Sequence, residues 1–196
     1  IPNGPMYDDI SGMDIIRGAL YVFHAPDPDS SFTETIEGYS KFSEGKWETQ
    51  RVEGFNNISG IALFKGKLFL SSYGQGIYEL EGEKLLSNQD LSNVSITDMC
   101  STDDFLWFAN YMSQKPLGRF DGESLSFLSS TQLGTTTPIY IAESSENVLW
   151  IKNNSTERFG VTAFDPSKNL IWQAKSSSGI PSKTVNDIEV NRDDEL

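Results

Sequence analysis

A leucine followed by an aromatic residue recurs along this chain and constrains its fold more than any other feature. The pair begins at Leu20, Leu68, Leu106 and Leu149, and Leu196 stands where a fifth copy would begin. Successive leucines are 48, 38, 43 and 47 residues apart. A repeat in the forties made of short alternating strands is typical of a β-propeller, in which each repeat supplies one four-stranded blade. The sequence therefore predicts an all-β propeller, and it favours a rigid binding module over an active site.

A second pattern repeats in register with the first. A glycine, an apolar residue four positions later and a lysine four positions after that recur from Gly38, Gly76 and Gly160, and a shorter copy begins at Gly118. A glycine that opens a strand indicates a bulge or a close backbone approach. Apolar alternation predicts strands at about 58–63, 67–71, 76–80, 95–100, 105–109, 139–143, 148–152 and 161–164.

Together the two patterns divide the chain into blades. The predicted ranges are 11–57, 58–93, 94–137 and 138–184, with the start of a fifth blade at 185–196. Both ends fall within repeat units, and we therefore expect part of a larger propeller. A terminal blade exposes apolar surface and strand edges, which favour self-association through the open blades. Inside the stack, we expect Trp107 and Trp150 to be mostly buried between adjacent blades.

The net charge of the chain limits the kinds of molecule that it is expected to bind. The net charge is −13. Nucleic acids are excluded as expected partners, because neutralising phosphates requires clustered lysine and arginine. An anionic membrane surface is disfavoured for the same reason. The sequence has no run of eighteen apolar residues, so we expect no membrane insertion of this segment.

Residues capable of chemistry are few. His24 is the one histidine, so a catalytic triad would have to include it, and a structural or solvent-exposed role is favoured. Cys100 is the one cysteine and is expected to be a small buried hydrophobe. Asp27 and Asp29 could offer oxygens to calcium, but they lack the glycine and the distal glutamate of an EF-hand loop. We therefore predict no catalytic residues, no metal and no cofactor.

The connections between the second and third strand of each blade are the predicted binding surface. They lie on one face of the propeller and vary in length, whereas the opposite connections are short and alike. Because function concentrates on variable loops of rigid scaffolds, this face is expected to bind the partner. The predicted ligand-binding residues are Tyr73, Gln75, Asn110 and Tyr111.

The segment from Gly179 to Leu196, which begins Gly-Ile-Pro-Ser-Lys, resembles the two-component regulator propeller repeat of Bacteroidetes. The other blades are degenerate. The stretches from Leu20 to Trp47 and from Leu68 to Leu80 look more like the PorZ-type family of surface components of the type IX secretion system. Either resemblance implies a β-propeller in the periplasm or on the cell surface.

The two resemblances imply different functions. A PorZ-type protein would be a non-enzymatic surface protein that binds the secretion attachment machinery or a lipopolysaccharide. A sensor propeller of a hybrid two-component system would bind a glycan-derived ligand in the periplasm. A propeller-based carbohydrate-active enzyme is a second alternative, because a fold does not fix a function.

Overall fold

The computed structural model describes residues 4–7, 9–24, 37–82, 84–86, 94–111, 113–154, 160–174, 185 and 188–190. Its strands form four antiparallel sheets of four strands each, and every sheet follows chain order. Sheet 1 contains β1 (Ile10–Ile16), β2 (Ala19–His24), β3 (Tyr39–Ser43) and β4 (Lys46–Gln50). Sheet 2 contains β5 (Ile58–Phe64), β6 (Lys67–Ser72), β7 (Gly76–Glu79) and β8 (Lys84–Leu85).

The second half of the chain repeats this arrangement. Sheet 3 contains β9 (Ile96–Ser101), β10 (Leu106–Asn110), β11 (Leu117–Phe120) and β12 (Leu125–Leu128). Sheet 4 contains β13 (Pro138–Glu143), β14 (Leu149–Asn153), β15 (Val161–Asp165) and β16 (Leu170–Gln173). A single helical turn, α1 (Ser130–Leu133), lies between the two sheets in the chain. The predicted all-β fold of propeller blades is confirmed, and each strand predicted by position begins and ends within one residue of the observed bounds.

The chain forms two compact units, Ile1–Ile96 and Thr97–Leu196. The first unit holds sheets 1 and 2, and the second holds nearly all of sheets 3 and 4. Of the range predicted to begin a fifth blade, the structure describes four residues, none of them in a strand. The blade boundaries and the fifth blade stay predictions.

Each sheet has two chemically distinct faces, which the Leu-aromatic pair defines. We call the face that carries the leucine the front face and the face that carries the following aromatic residue the back face. In the first unit, Tyr21 and Phe23 on the back of sheet 1 share one buried core with Ile61, Leu68 and Leu70 on the front of sheet 2. Because β-sheets pack through alternate residues, the period-two pattern of each strand determines which side enters this core.

The second unit packs in the same direction. Trp107 and Leu117 on the back of sheet 3 share a core with Leu149, Ile151 and Phe164 on the front of sheet 4. Trp107 is fully buried, and its ring meets the edge of the Phe164 ring at a centroid distance of 5.9 Å. The prediction for this tryptophan is confirmed.

Trp150 differs from its predicted environment. It lies on the back of sheet 4 and is only partly buried. Its ring contacts Trp172 of the same sheet at 6.3 Å. The expectation that Trp150 packs between two blades is therefore wrong for the described residues, because their sheets cover the front of sheet 4 but leave its back open.

Two of the glycines at the third strands, Gly38 and Gly118, have the predicted close approaches. Gly38 adopts a φ of 97°, and a β-carbon built there would overlap the carbonyl oxygen of Gln50. At Gly118 a β-carbon would overlap the ring of Phe108. Both positions exclude a side chain, which explains why glycine recurs at this point of the repeat.

Candidate functional site

A buried polar residue ends the second strand of every sheet. These strand-end polar residues stand four positions after the leucine of the Leu-aromatic pair, and they are His24, Ser72, Asn110 and Asn153. Their exposure is between 0 and 4 %. A buried polar side chain is costly unless it is hydrogen-bonded, so its partner defines its purpose.

Three of these partners lie on the segments beside the second strands. The Ser72 hydroxyl donates to the carbonyl of Asn56. The Asn110 amide donates to the carbonyl of Lys115 at 3.2 Å. His24 Nε2 and the Ser40 hydroxyl are 2.9 Å apart. Ser72 and Asn110 therefore hold backbone carbonyls, whereas His24 contacts a side-chain hydroxyl, as does Asn153, whose amide donates to Thr162 at 3.0 Å.

In the first unit, the predicted site residues Tyr73 and Gln75 have different environments. Tyr73 follows β6 directly, and its side chain is 49 % exposed. Its backbone N–H donates to the carbonyl of Asn57 at 3.0 Å. Gln75 accepts a hydrogen bond from the Asn56 N–H at 2.6 Å and donates to the Gly54 carbonyl at 2.7 Å. Gln75 thus holds the neighbouring turn, and Tyr73 presents its ring to solvent.

In the second unit, both predicted site residues, Asn110 and Tyr111, make hydrogen bonds to the connections. Asn110 is 4 % exposed and binds the loop that follows it, both through its amide and through its N–H to the Pro116 carbonyl at 2.8 Å. Tyr111 is only partly buried, and its hydroxyl accepts a hydrogen bond from the Asn154 amide at 2.7 Å. The two connections of this unit are therefore joined to each other at the predicted binding face.

The structure places tyrosine at the same point of the repeat in both units, immediately after the strand-end polar residue. Four site residues were predicted: Tyr73 and Gln75 lie together in the first unit, and Asn110 and Tyr111 lie together in the second. Sequence reasoning singled out His24 and Asn110 but missed the position that they share with Ser72 and Asn153 at the end of the second strand. A polar residue at a constant offset of four from each leucine would have revealed it.

His24 has an environment that hinders acid–base chemistry. Its side chain is 2 % exposed, and its partner Ser40 is 1 % exposed. Burial lowers the pKa of His24, and a backbone hydrogen bond at Asp9 opposes this shift. The Met6 N–H also donates to the Ser40 hydroxyl at 2.7 Å. The His24–Ser40 pair thus connects the segment around Met6 to sheet 1. Both side chains are buried, so a substrate would have little access to them.

Cys100 is equally unsuited to nucleophilic chemistry. Burial raises its pKa well above the usual value, and the nearby carboxylates of Asp98 and Glu143 raise it further. Cys100 is only partly buried, and because the thiolate is the reactive form, its raised pKa disfavours nucleophilic chemistry. Among the described residues, no group of three or more His, Cys, Asp or Glu side chains is arranged to hold a metal ion. Asp27 and Asp29 lie outside the described residues.

Glu143, at the end of β13, carries a carboxyl group whose environment disfavours its charged form. Partial burial, together with the charge of Asp103, raises its pKa from 4.5 to about 7. A raised carboxyl pKa means that the folded state holds the proton more tightly than the unfolded chain does. The free energy of unfolding therefore falls as the pH rises from about 4.5 to about 7.

We predict that Glu143→Gln removes this pH dependence. Relative to the wild type, the variant gains roughly 1–3 kcal/mol of stability at pH 8, a range that allows for solvent screening of the part-exposed carboxyl. At pH 4.5 the two proteins are expected to be about equally stable. Urea unfolding followed by circular dichroism at both pH values measures the difference. An equal gain at pH 4.5 would show that the effect is not protonation.

A shallow cleft in the second unit was not expected from the sequence. Its volume is about 470 Å³, and its lining comes from α1 and β16: Thr131, Gln132, Leu133, Gly134, Ile171, Trp172 and Gln173. Ser129 begins the helical turn through a reciprocal capping box with Gln132. Gln173 donates to the carbonyls of Leu133 and Gly134 at 3.4 and 3.3 Å, which fixes one wall of the cleft.

These observations define the chain as a set of β-propeller blades whose second strands each end in a buried polar residue. No family model matches the sequence, and no curated protein matches it. Among the described residues, no helix is long and apolar enough to cross a membrane.

Solved structures share the fold. PorZ, an essential surface component of the type IX secretion system of Porphyromonas gingivalis, superposes with a TM-score of 0.64 and 16 % identity over 83 % of this chain. The extracellular domain of a putative hybrid two-component system from B. thetaiotaomicron gives a TM-score of 0.66 and 15 % identity over 95 % of this chain. Virginiamycin B lyase from Staphylococcus aureus gives 0.54 and 16 % over 83 % of this chain and 68 % of its own.

The first two matches are much longer than this chain, which spans 26 % of PorZ and 25 % of the two-component domain. At these identities the similarity shows the propeller fold and not a shared activity. The fold is found in surface, sensor and enzyme proteins alike, so function has to be argued from the site.

Proposed function

We propose that this chain is a non-enzymatic, extracytoplasmic interaction module of the two-component regulator propeller family, and that it is PorZ-like. The observation that carries the proposal is the pair Tyr73 and Tyr111, presented at equivalent points on connections whose backbone is already held. Tyrosine gives a large contact area at small entropic cost, and a braced loop loses little freedom on binding.

The environments of His24 and Cys100 support a binding role. His24 is buried beside Ser40, and the surroundings of Cys100 raise the pKa of its thiol. Both PorZ and the bacterial two-component domains that share the fold are described as surface or extracellular. Their location supports an extracytoplasmic location for this chain.

A sensor role is the second candidate, because the two-component domain covers more of this chain than PorZ does, 95 % against 83 %. In that case the same face would bind a glycan-derived ligand. In the PorZ-like case it would bind a lipopolysaccharide or a protein of the secretion attachment machinery. The acidity of the chain means that lipopolysaccharide binding would depend on hydrogen bonds and aromatic contacts rather than on charge attraction.

The test uses three probes: lipopolysaccharide purified from a Bacteroidetes outer membrane, neutral oligosaccharides, and outer-membrane proteins of a bacterium that has type IX secretion. We expect lipopolysaccharide or one of these proteins to bind, and Tyr73→Ala or Tyr111→Ala to weaken binding at least about tenfold, as for aromatic hot spots. Glu48→Ala, an exposed change on β4, is the matched control.

Other outcomes decide against the proposal. If only the oligosaccharides bind, the sensor role replaces the PorZ-like role as the proposed function. Binding that both tyrosine variants retain would mean that the predicted face is wrong. In a parallel hydrolase screen, turnover that His24→Ala abolishes would refute the non-enzymatic role.

A further inference from the structure

Exposed apolar side chains concentrate on two sheet faces at opposite ends of the repeat order. Among the described residues, the large hydrophobics that are exposed are Tyr7, Ile10, Met13, Ile15, Tyr73, Leu170 and Trp172. Met13 and Ile15 lie on the front of sheet 1, and Leu170 and Trp172 lie on the back of sheet 4. Both faces therefore present apolar surface to water, which usually marks an interaction site.

The front of sheet 1 has the same strand register as the front faces that are covered. Met13 pairs with Val22, just as Ile61 pairs with Leu70 in sheet 2 and Ile141 with Ile151 in sheet 4. Yet Met13 is 68 % exposed, whereas Ile61 is 2 % and Ile141 is 5 % exposed. The difference is the neighbouring sheet, because the back face of a preceding sheet covers the other two positions.

More of this open face is aromatic. Phe42 and Trp47 are cross-strand neighbours of Leu20 on the same side, with ring centroids 5.1 Å apart, and all three are partly exposed. Part of this face is covered: Val22 and Ser40, in the same cross-strand row as Met13, are 2 % and 1 % exposed, and the Met6 N–H donates to the Ser40 hydroxyl. Met13, Ile15, Leu20, Phe42 and Trp47 thus form an open surface, which we call the open front.

The back of sheet 4 also exposes residues that are buried at the equivalent positions of other sheets. Trp150 stands where Tyr21 and Trp107 stand in sheets 1 and 3, second in the Leu-aromatic pair. Those two are 5 % and 0 % exposed because the front of a following sheet covers them. Trp150 instead lies beside Ala163 and Trp172, and Trp172 is 45 % exposed. Ala163 is 8 % exposed, so Trp150, Leu170 and Trp172 form what we call the open back.

We propose that the open back of one copy of this chain packs on the open front of a second copy. The contact continues the interface that each unit already contains, in which a back face packs on the next front face. It is heterologous, since the two partners contribute different surfaces. The proposal depends on this packing alone and stands apart from the proposed ligand face.

The net charge of −13 opposes the association of two copies, so the measurement needs physiological salt, where the Debye length is about 8 Å. Sedimentation of the wild-type chain over a range of concentrations is expected to show reversible association. Ile15→Glu places a charge on the open front, and Trp172→Glu places one on the open back. Either change is expected to weaken association at least about tenfold, because burying an unpaired charge is costly.

A mixture of the two variants tests the heterologous geometry. The Ile15→Glu protein retains an intact open back, and the Trp172→Glu protein retains an intact open front. An equimolar mixture is therefore expected to form a one-to-one dimer that stops there, although each variant alone stays monomeric. Ser124→Glu, which adds the same charge at an exposed hairpin turn, is expected to associate like the wild type. Circular dichroism checks folding, and Met13→Glu and Leu170→Glu replace any variant that fails to fold.

The remaining outcomes overturn the proposal. A wild-type chain that stays monomeric at all concentrations has no such contact. If only one variant loses association, two like faces meet and the contact is symmetric. If the mixture stays monomeric while each variant is folded, the two open faces do not bind one another.

Discussion

Trp107→Ala is expected to lower the free energy of unfolding by about 3–5 kcal/mol, as large aromatic truncations in protein cores do. The indole is fully buried between sheets 3 and 4 and meets Phe164 edge to face. The Arg119 guanidinium lies over it, 5.5 Å from the ring centroid. An alanine would leave a cavity and remove the indole contact of Phe164 and of Arg119, although Arg119 would keep its contact with Phe105. Urea unfolding followed by circular dichroism measures the loss.

Two further substitutions separate packing from other effects. No described atom accepts a hydrogen bond from the Trp107 Nε1–H. Trp107→Phe therefore sacrifices no hydrogen bond and keeps an aromatic ring, so it is expected to cost less than Trp107→Ala, roughly 1–3 kcal/mol for the smaller cavity. Trp172→Ala, at a half-exposed position, is expected to cost about 1 kcal/mol or less. A loss below about 1 kcal/mol for Trp107→Ala would contradict the core assignment.

Gly38→Ala is expected to destabilise the first unit by at least about 3 kcal/mol, from its positive φ and from steric overlap. The new methyl group would meet the Gln50 carbonyl oxygen and lie 2.9 Å from the Arg51 Cα. Both atoms belong to the backbone, so β3 and β4 would have to separate locally. A rotamer change cannot relieve this overlap.

Gly45→Ala is the matched control. Gly45 has a φ of 76°, also in the left-handed region, but nothing lies within 4 Å of the position that a β-carbon would take there. This variant incurs only the conformational penalty, expected to be about 1–2 kcal/mol. Thermal and urea unfolding of the two variants therefore isolate the overlap. Equal losses for both would mean that the backbone at Gly38 adapts and that the close approach is unimportant.

The fold was predictable from the repeat because each of its two patterns reflects a local structural requirement of the strands. Alternation around Leu68 and Leu149 marks strands with one buried face, and a glycine such as Gly38 marks backbone contact. Both requirements depend on residues that neighbour each other within one β-hairpin. The helical turn α1 and the buried serine and asparagine at the strand ends escaped prediction, because their partners are set by the geometry of adjacent connections.

The site was only partly predictable for a related reason. Tyr73 is open to solvent as a ligand-binding residue requires, but Gln75 and Asn110 already use their amides to hold backbone carbonyls. Polar residues on a loop have the same sequence signature whether they contact a ligand or the loop itself. Burial distinguishes the two, and burial depends on how neighbouring strands pack.

The strand-end polar residues have a consequence for how such a surface can change. Asn110 belongs to β10 and not to the connection that follows it, yet its amide donates to the Lys115 carbonyl in that connection. A change of sequence in the connection would therefore leave this hydrogen-bond donor in place, so that the loop could vary without repacking the core, as binding loops do on rigid scaffolds.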